Sequence, residues 1–248
     1  MAQEHDNRPR LPGRAFQSGT KHTRGRGMVG MGGERPRARG LPAESDLINL
    51  PPPIRAEGPP LWETINARRS ARRYGGAPLS LQELSQLLWA CQGITAERRG
   101  LSFRATPSAG ALYPVDTYLL ANAVDGLPAG IYRYVPEAHG LVLVREGAMG
   151  QEGCAAAMDQ GMVHDAQATF FWAATFARAR WRYGERCYRY AYLDAGHIAQ
   201  NLALAAVGLG LASCQIAAYY DDECDALLGL DGEDQTVVYM SVVGRSQG

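Results

Sequence analysis

From about Arg186 to Val207 the sequence keeps helical spacing, yet small residues make up much of its surface: Ala191, Ala195, Gly196, Ala199, Ala203, Ala205 and Ala206, with Gly208 just beyond. Small side chains let neighbouring backbones approach closely, so this stretch is expected to be a long central helix covered on most sides. One stripe breaks the pattern. Tyr190, Asp194, His197 and Asn201 recur at helical spacing and share a face. They are either internally hydrogen-bonded polar groups or the wall of a ligand site, and the sequence leaves both open.

The rest of the chain supplies what such a helix needs around it. Ser80 followed by Glu83 makes a capping box, and Leu81, Leu84, Leu87, Leu88 and Cys91 then fall on one helical face. Shorter helices are expected at Leu61–Arg69, after an extended Pro51–Pro52–Pro53 arm, near 151–159 and at Asp221–Leu228. Apolar or alternating runs predict strands at 115–121, 131–135, 141–145, 168–176, 211–219 and 236–244. The turn-rich PEAHG joins the second and third as a hairpin. Helices and strands intermix through hairpins and crossovers, which favours an α+β sandwich over a doubly wound sheet. No GxGxxG follows a strand, which argues against a Rossmann NAD domain.

Charge divides the chain in two. Residues 1–45 carry nine basic side chains against four acidic ones, while the remainder carries sixteen against twenty-one, so a formal net charge of zero hides two opposite halves. The first segment is rich in Gly, Pro and Arg, holds the only lysine, Lys21, and has few large apolar residues. It cannot bury enough area to offset its ordering entropy and is expected to be a disordered basic tail before a single domain over 46–248. A solvated extension is the simpler reading of it, and nucleic-acid binding is not expected. Five cysteines without a CxxC pair or metal-ligand spacing read as reduced core residues in a cytoplasmic protein, and no metal site is expected. No secretory signal is read, and the apolar run Leu202–Leu211 is too short to span a membrane.

Four segments carry candidate chemistry. Arg68-Arg69-Ser70-Ala71-Arg72-Arg73 sets four arginines around a hydroxyl where a helix ends, and could clamp a phosphate or be a solvated face. Pro107-Ser108-Ala109-Gly110-Ala111-Leu112-Tyr113-Pro114 places small residues between prolines, so its amides could approach a flat ligand or simply close a tight loop. The Leu211–Tyr220 segment follows Gly208 and Gly210, and Arg245 is a lone cation after the 236–244 strand.

Taken in order, RRSARRY, LSLQELSQLLWACQGIT, PSAGALYP, YRYAYLDAGHIAQNLALAAVGLGL and VVYMSVVG resemble the nitroreductase-fold flavoproteins, and within them the SagB-type dehydrogenases that include azoline dehydrogenases. The resemblance covers roughly Asp46 to Arg245. It implies a mainly antiparallel sheet flanked by helices around a buried central helix, and a homodimer binding FMN noncovalently at its interface. By motif match, Arg68, Ser70 and Arg72, with Arg69 in the same run, would face the FMN phosphate and ribityl chain, and Arg245 would be a second phosphate cation. Pro107, Ser108, Ala109 and Gly110 would approach the cofactor, and the backbone of Gln215, Ile216, Ala217 and Ala218 would lie along the isoalloxazine.

The implied reaction is a ping-pong oxidoreduction, with FMN reduced by NAD(P)H and reoxidised by a nitroaromatic, quinone or similar acceptor. Oxidation of an azoline with oxygen is one alternative, and a non-catalytic flavin-binding subunit of a biosynthetic complex is another. One departure from the pattern stands out: the azoline branch has a Lys-Tyr pair ahead of the YRY helix, and here that place holds Arg182-Tyr183. Arginine stays protonated and cannot take a proton as lysine can. Arg182 suits an anionic substrate group, and Tyr183 and Tyr188 are each either a candidate proton donor or a packing group of the substrate pocket.

Overall fold

The computed structural model describes residues 12–22, 24, 34, 36 and 40–247. Along the chain, α1 (Pro12–Gly19) precedes β1 (Leu47–Asn49), α2 (Leu61–Ala67), α3 (Leu81–Gln92), β2 (Ile94–Arg98), β3 (Leu101–Arg104) and β4 (Val115–Ala121). There follow β5 (Gly130–Val135), β6 (Gly140–Glu146), α4 (Gly150–Ala156), α5 (Met162–Asp165), β7 (Ala168–Thr175), α6 (Ala177–Tyr183), α7 (Cys187–Gly208), β8 (Ala212–Ile216), α8 (Asp221–Leu228) and β9 (Gln235–Gly244).

Seven strands form one sheet in the order β1-β6-β5-β4-β7-β9-β8, and every neighbouring pair is antiparallel. β7 is buried at every position, as a strand covered on both faces must be. Its side chains alternate between two cores. Phe170 and Trp172 pack with Leu84, Leu88 and Leu119 and with Ala195, Ile198 and Leu202 beneath α3 and α7. Phe171 and Ala173 pack on the other face with Ala156, Val163 and Leu227 from α4, α5 and α8.

The capping box at the start of α3 is complete: the Glu83 amide donates to Ser80 Oγ at 3.2 Å and the Ser80 amide to Glu83 Oε2 at 2.8 Å. α7 buries Ala191, Ala195, Ala199, Ala203 and Ala206 against the sheet, but turns Tyr192, Leu193, Gly196 and His197 outward.

Three differences from the sequence reading matter. The run 94–104 forms a separate two-stranded hairpin, β2–β3, and ARARWRY forms α6. The strand expected over 211–219 stops at Ile216, because Ala217 and Ala218 leave the sheet exposed. The expectation of disorder covers residues 1–45, most of which lie outside the described residues; within them Pro12–Gly19 is helical, and Phe16 sets its ring edge-on to Tyr188. Among the described residues no helix is long and apolar enough to cross a membrane, and no cluster of His, Cys, Asp or Glu could hold a metal ion.

Candidate active site

β8 is an edge strand, and the arginine-rich segment lies along its outer edge. Ser70 bridges Ser213 in parallel register, and the Ala71 amide donates to the Ser213 carbonyl at 3.1 Å. An extended run places alternate side chains on one side, so Arg68, Ser70 and Arg72 share a face. Arg69 behaves differently: its guanidinium folds back onto the Asn66 and Arg68 carbonyls at 2.9 and 2.7 Å, closing the end of α2. The side chains of Arg68, Ser70 and Arg72 make no hydrogen bond or ion pair among the described residues. Since Ser213 turns its carbonyl to this edge, so does Gln215 two residues on, leaving backbone groups at the edge beyond Ser213.

The Gln215 side chain points inward. Trp172 Nε1 donates to Ser241 Oγ at 2.9 Å, Ser241 Oγ bonds Gln215 Oε1, and Gln215 Nε2 donates to the Ala199 carbonyl of α7 at 3.3 Å. Ile216 packs in the core, and the Ala218 carbonyl accepts from Gln160 Nε2 at 2.7 Å. This wiring fixes β8 to α7.

The PSAGALYP turn is tied to the same helix by Asp194. One carboxylate oxygen accepts from Ser108 Oγ at 2.6 Å and the other from the Ala109 amide at 3.4 Å, while Ser108 Oγ accepts from the Tyr113 amide at 2.9 Å. Burial raises the Asp194 carboxyl above its ordinary range, and the bonds from Ser108 and Ala109 offset part of that rise. Gly110 has φ 64°, a conformation that glycine adopts at no steric cost. A β-carbon there would also collide with the Tyr183 hydroxyl and come within 3.0 Å of an Arg182 guanidinium nitrogen.

The candidate segments therefore converge. Asp194 holds the turn and Ala199 holds β8, five residues apart or roughly 7.5 Å along the axis of α7. Arg182 and Tyr183, the pair in the place of the azoline branch's Lys-Tyr, stand over Gly110 from the end of α6. The stripe on α7 divides: Asp194 holds the site's turn, Asn201 only donates to the Ala90 carbonyl at 2.9 Å, and His197 is exposed. Pro107 opens the turn and is exposed.

Arg245 lies beside the end of the arginine-rich run, where its carbonyl accepts from the Gly75 amide at 3.2 Å, but its side chain turns to α3. Its guanidinium bonds both carboxylate oxygens of Glu83 at 3.1 Å and the Ala77 and Pro78 carbonyls, locking the end of β9 to the cap of α3. A cavity of about 510 Å³ behind Ala111–Tyr113 is no better a cofactor site. Two of the cations lining it are already matched, Arg178 by Asp116 and Arg104 by Glu137.

A seven-stranded antiparallel sheet with α7 across it, and a glycine turn and an arginine-flanked edge strand meeting on that helix, define an oxidoreductase class. The chain belongs to the Nitroreductase family, whose pattern matches residues 65–245. It is 39% identical over 168 residues to the protein named Putative nitroreductase MJ1384 of Methanocaldococcus jannaschii, covering 68% of this chain and 83% of that one. It is 27% identical to the Microcin B17-processing protein McbC of Escherichia coli, a likeness spanning 62% of this chain and 57% of McbC. A crystal structure named for a putative nitroreductase from Ralstonia eutropha superposes with a TM-score of 0.71 at 27% identity, over 84% of this chain and 93% of the other. The family likeness to the SagB side of the fold thus rests on a relative as well as on motifs.

Proposed function

We propose that this chain is an FMN-dependent oxidoreductase that takes hydride from NAD(P)H and passes it to a nitroaromatic, quinone or similar acceptor. The observation that carries the reading is the set Arg68, Ser70 and Arg72, side chains beside the outer edge of β8 that make no hydrogen bond or ion pair among the described residues. Their chemistry fits a phosphate-ended, flat cofactor: two guanidinium groups for a dianion, a hydroxyl for the polyol chain, and edge amides for the ring. Arg245 is left out of this set, because Glu83 already occupies it.

FMN, when bound, supplies the hydride chemistry; the protein binds, orients and excludes water. Asp194 fixes the Ser108 hydroxyl and the Ala109 amide, Gly110 lets the turn approach closely, and Tyr183 presents a hydroxyl over it. Arg182 supplies a fixed positive charge for an anionic substrate group. The expected assembly is a homodimer, since Leu61, Trp62, Tyr192 and Leu193 leave large apolar surface exposed on α2 and α7. Free cysteines, four of them buried, support a reducing, cytoplasmic setting.

Purified protein should be yellow and release FMN, not FAD, on denaturation, and NADPH should bleach it without oxygen. A colourless protein that takes up no FMN in titration sinks the reading, and a yellow protein that NADPH cannot bleach marks a non-catalytic subunit. The likeness to McbC favours a second reading, azoline oxidation with oxygen. Arg182 in the place of a lysine base argues against it.

A further inference from the structure

We propose that Arg186 and Arg189 form a binding site for a phosphate-bearing small molecule, and that the carboxyl end of α1 is its built-in, displaceable plug. Both arginines belong to the junction of α6 and α7, three residues apart on one helical face. Arg189 donates to the Gln17 carbonyl and to Thr20 Oγ1, each at 2.7 Å, and Arg186 donates to the Thr20 carbonyl. The Arg189 guanidinium also stacks 5.4 Å from the Phe16 ring.

Every one of these acceptors is neutral. Among the described residues neither arginine has a carboxylate partner, whereas Arg178 and Arg180, just upstream, pair with Asp116 and Asp234. The last carbonyls of a helix lack intrahelical partners and carry about half a negative charge. The end of α1 is thus a weak imitation of an anion, presented to two full cations.

It is also weakly held. α1 has eight residues and buries none of them, a length at which a helix in water is marginal. A phosphate monoester brings a dianion and three acceptor oxygens to the same two guanidinium forks, where its charge outcompetes carbonyl dipoles. Arg182, exposed one turn earlier, adds a third positive charge to the approach.

The plug touches the catalytic region. Arg186 Nε donates to the Tyr190 hydroxyl at 2.9 Å, and the Tyr190 ring meets Tyr183 edge-on at 4.9 Å. Tyr183 in turn overhangs Gly110. An anion that takes Arg186 from Thr20 would therefore be felt at this turn through Tyr190 and Tyr183; that link to turnover rests on the function proposed above, while the anion site does not.

The test uses the full chain and inorganic phosphate, followed by hydrogen–deuterium exchange at the Phe16–Thr20 amides, with chloride at matched ionic strength as control. Phosphate should speed exchange there at least tenfold and saturably, with chloride inert. In Arg186→Gln/Arg189→Gln those amides should exchange fast from the outset and ignore phosphate, while the β7 amides stay protected. Thr20→Ala, which weakens the plug and spares both arginines, should tighten phosphate binding several-fold by calorimetry. Phe16–Thr20 amides already at the random-coil rate in wild type, a chloride effect as large as that of phosphate, an equal response in the double variant, or unchanged affinity in Thr20→Ala would each overturn the proposal. None of these readouts needs flavin or turnover, so their failure leaves the FMN reading standing.

Discussion

The two ends of α6 use arginine in opposite ways. At its start Arg178 forks onto Asp116, with nitrogen–oxygen distances of 2.8 and 2.7 Å, and Arg180 reaches Asp234 at 3.4 Å. At its end Arg182 is exposed, stacks 5.5 Å from the Tyr183 ring and meets no acid among the described residues. The first pair hold the helix to β4 and to the turn before β9; the last stands over a glycine turn. The 68–73 run repeats the lesson, with Arg69 spent on helix carbonyls while the Arg68 and Arg72 side chains make no hydrogen bond or ion pair among the described residues. Residue type alone does not separate support from function; the partner that the fold supplies does.

The sharpest test of that contrast is Arg178→Ala, which strands the Asp116 carboxylate. It should cost about 3 kcal/mol and lower the melting temperature by roughly 6–12 °C, read by calorimetry; a change under 1 °C would remove the distinction. Arg68→Ala and Arg72→Ala should barely move the melting temperature of the apoprotein. Each should weaken FMN binding at least tenfold in a fluorescence titration, because a charge-assisted bond contributes roughly 1.5–3 kcal/mol.

Arg182→Ala should raise KM for an anionic acceptor several-fold and leave kcat nearly unchanged, the mark of lost uniform binding. Arg182→Lys should keep most of the affinity, and a fall in kcat alone would show that Arg182 acts on the reacting atoms instead.

A smaller effect comes from a histidine that only supports. His139 Nδ1 accepts from the Tyr134 hydroxyl at 2.8 Å, and Nε2 faces Ser85 Oγ and the Pro51 carbonyl at 2.8 and 3.2 Å, pinning the proline arm to α3. Burial holds its pKa below the ordinary 6.5, with the Pro51 carbonyl offsetting part of the fall. The unfolded chain therefore binds the proton first as pH drops. The contribution is fully present above about 6.5 and is lost as pH falls through the lower folded value. Urea midpoints should slide down over that window in wild type and stay flatter in His139→Asn. Smallest of all, Lys21→Ala should leave flavin reduction and turnover unchanged within error; loss of turnover in a folded, yellow protein would put the tail inside the active site.

Much of this was legible because local pattern and tertiary burial agree. β4 spans the expected 115–121, α8 the expected 221–228, and the Ser80–Glu83 box opens α3 where its spacing placed it. What escaped depends on distant partners. α6 reads as an unpatterned arginine run because its acids sit at 116 and 234. β2 and β3 carry exposed charges and a turn at Arg99–Gly100, with both residues at positive φ, and lie outside the main sheet, so no apolar alternation announces them. Asp194 was visible as one of a polar stripe, yet its service to Ser108 spans 86 residues and has no local signature. Arg245 reads as a lone cation because the acid that faces it, Glu83, lies 162 residues away.

The position of β9 between β7 and β8 also sets a clock on synthesis. Ser70 leaves the ribosome early, and the edge it must join has no sheet to belong to until residue 244 has been made. At the usual 5–20 residues per second that interval lasts roughly 10–35 s. Throughout it Arg68 and Arg72 are emerged cations with nothing to grip. With Arg68 and Arg72 as the proposed FMN clamp, loading would be a post-synthetic event, and a nascent chain stalled before β9 should stay colourless however much FMN surrounds it.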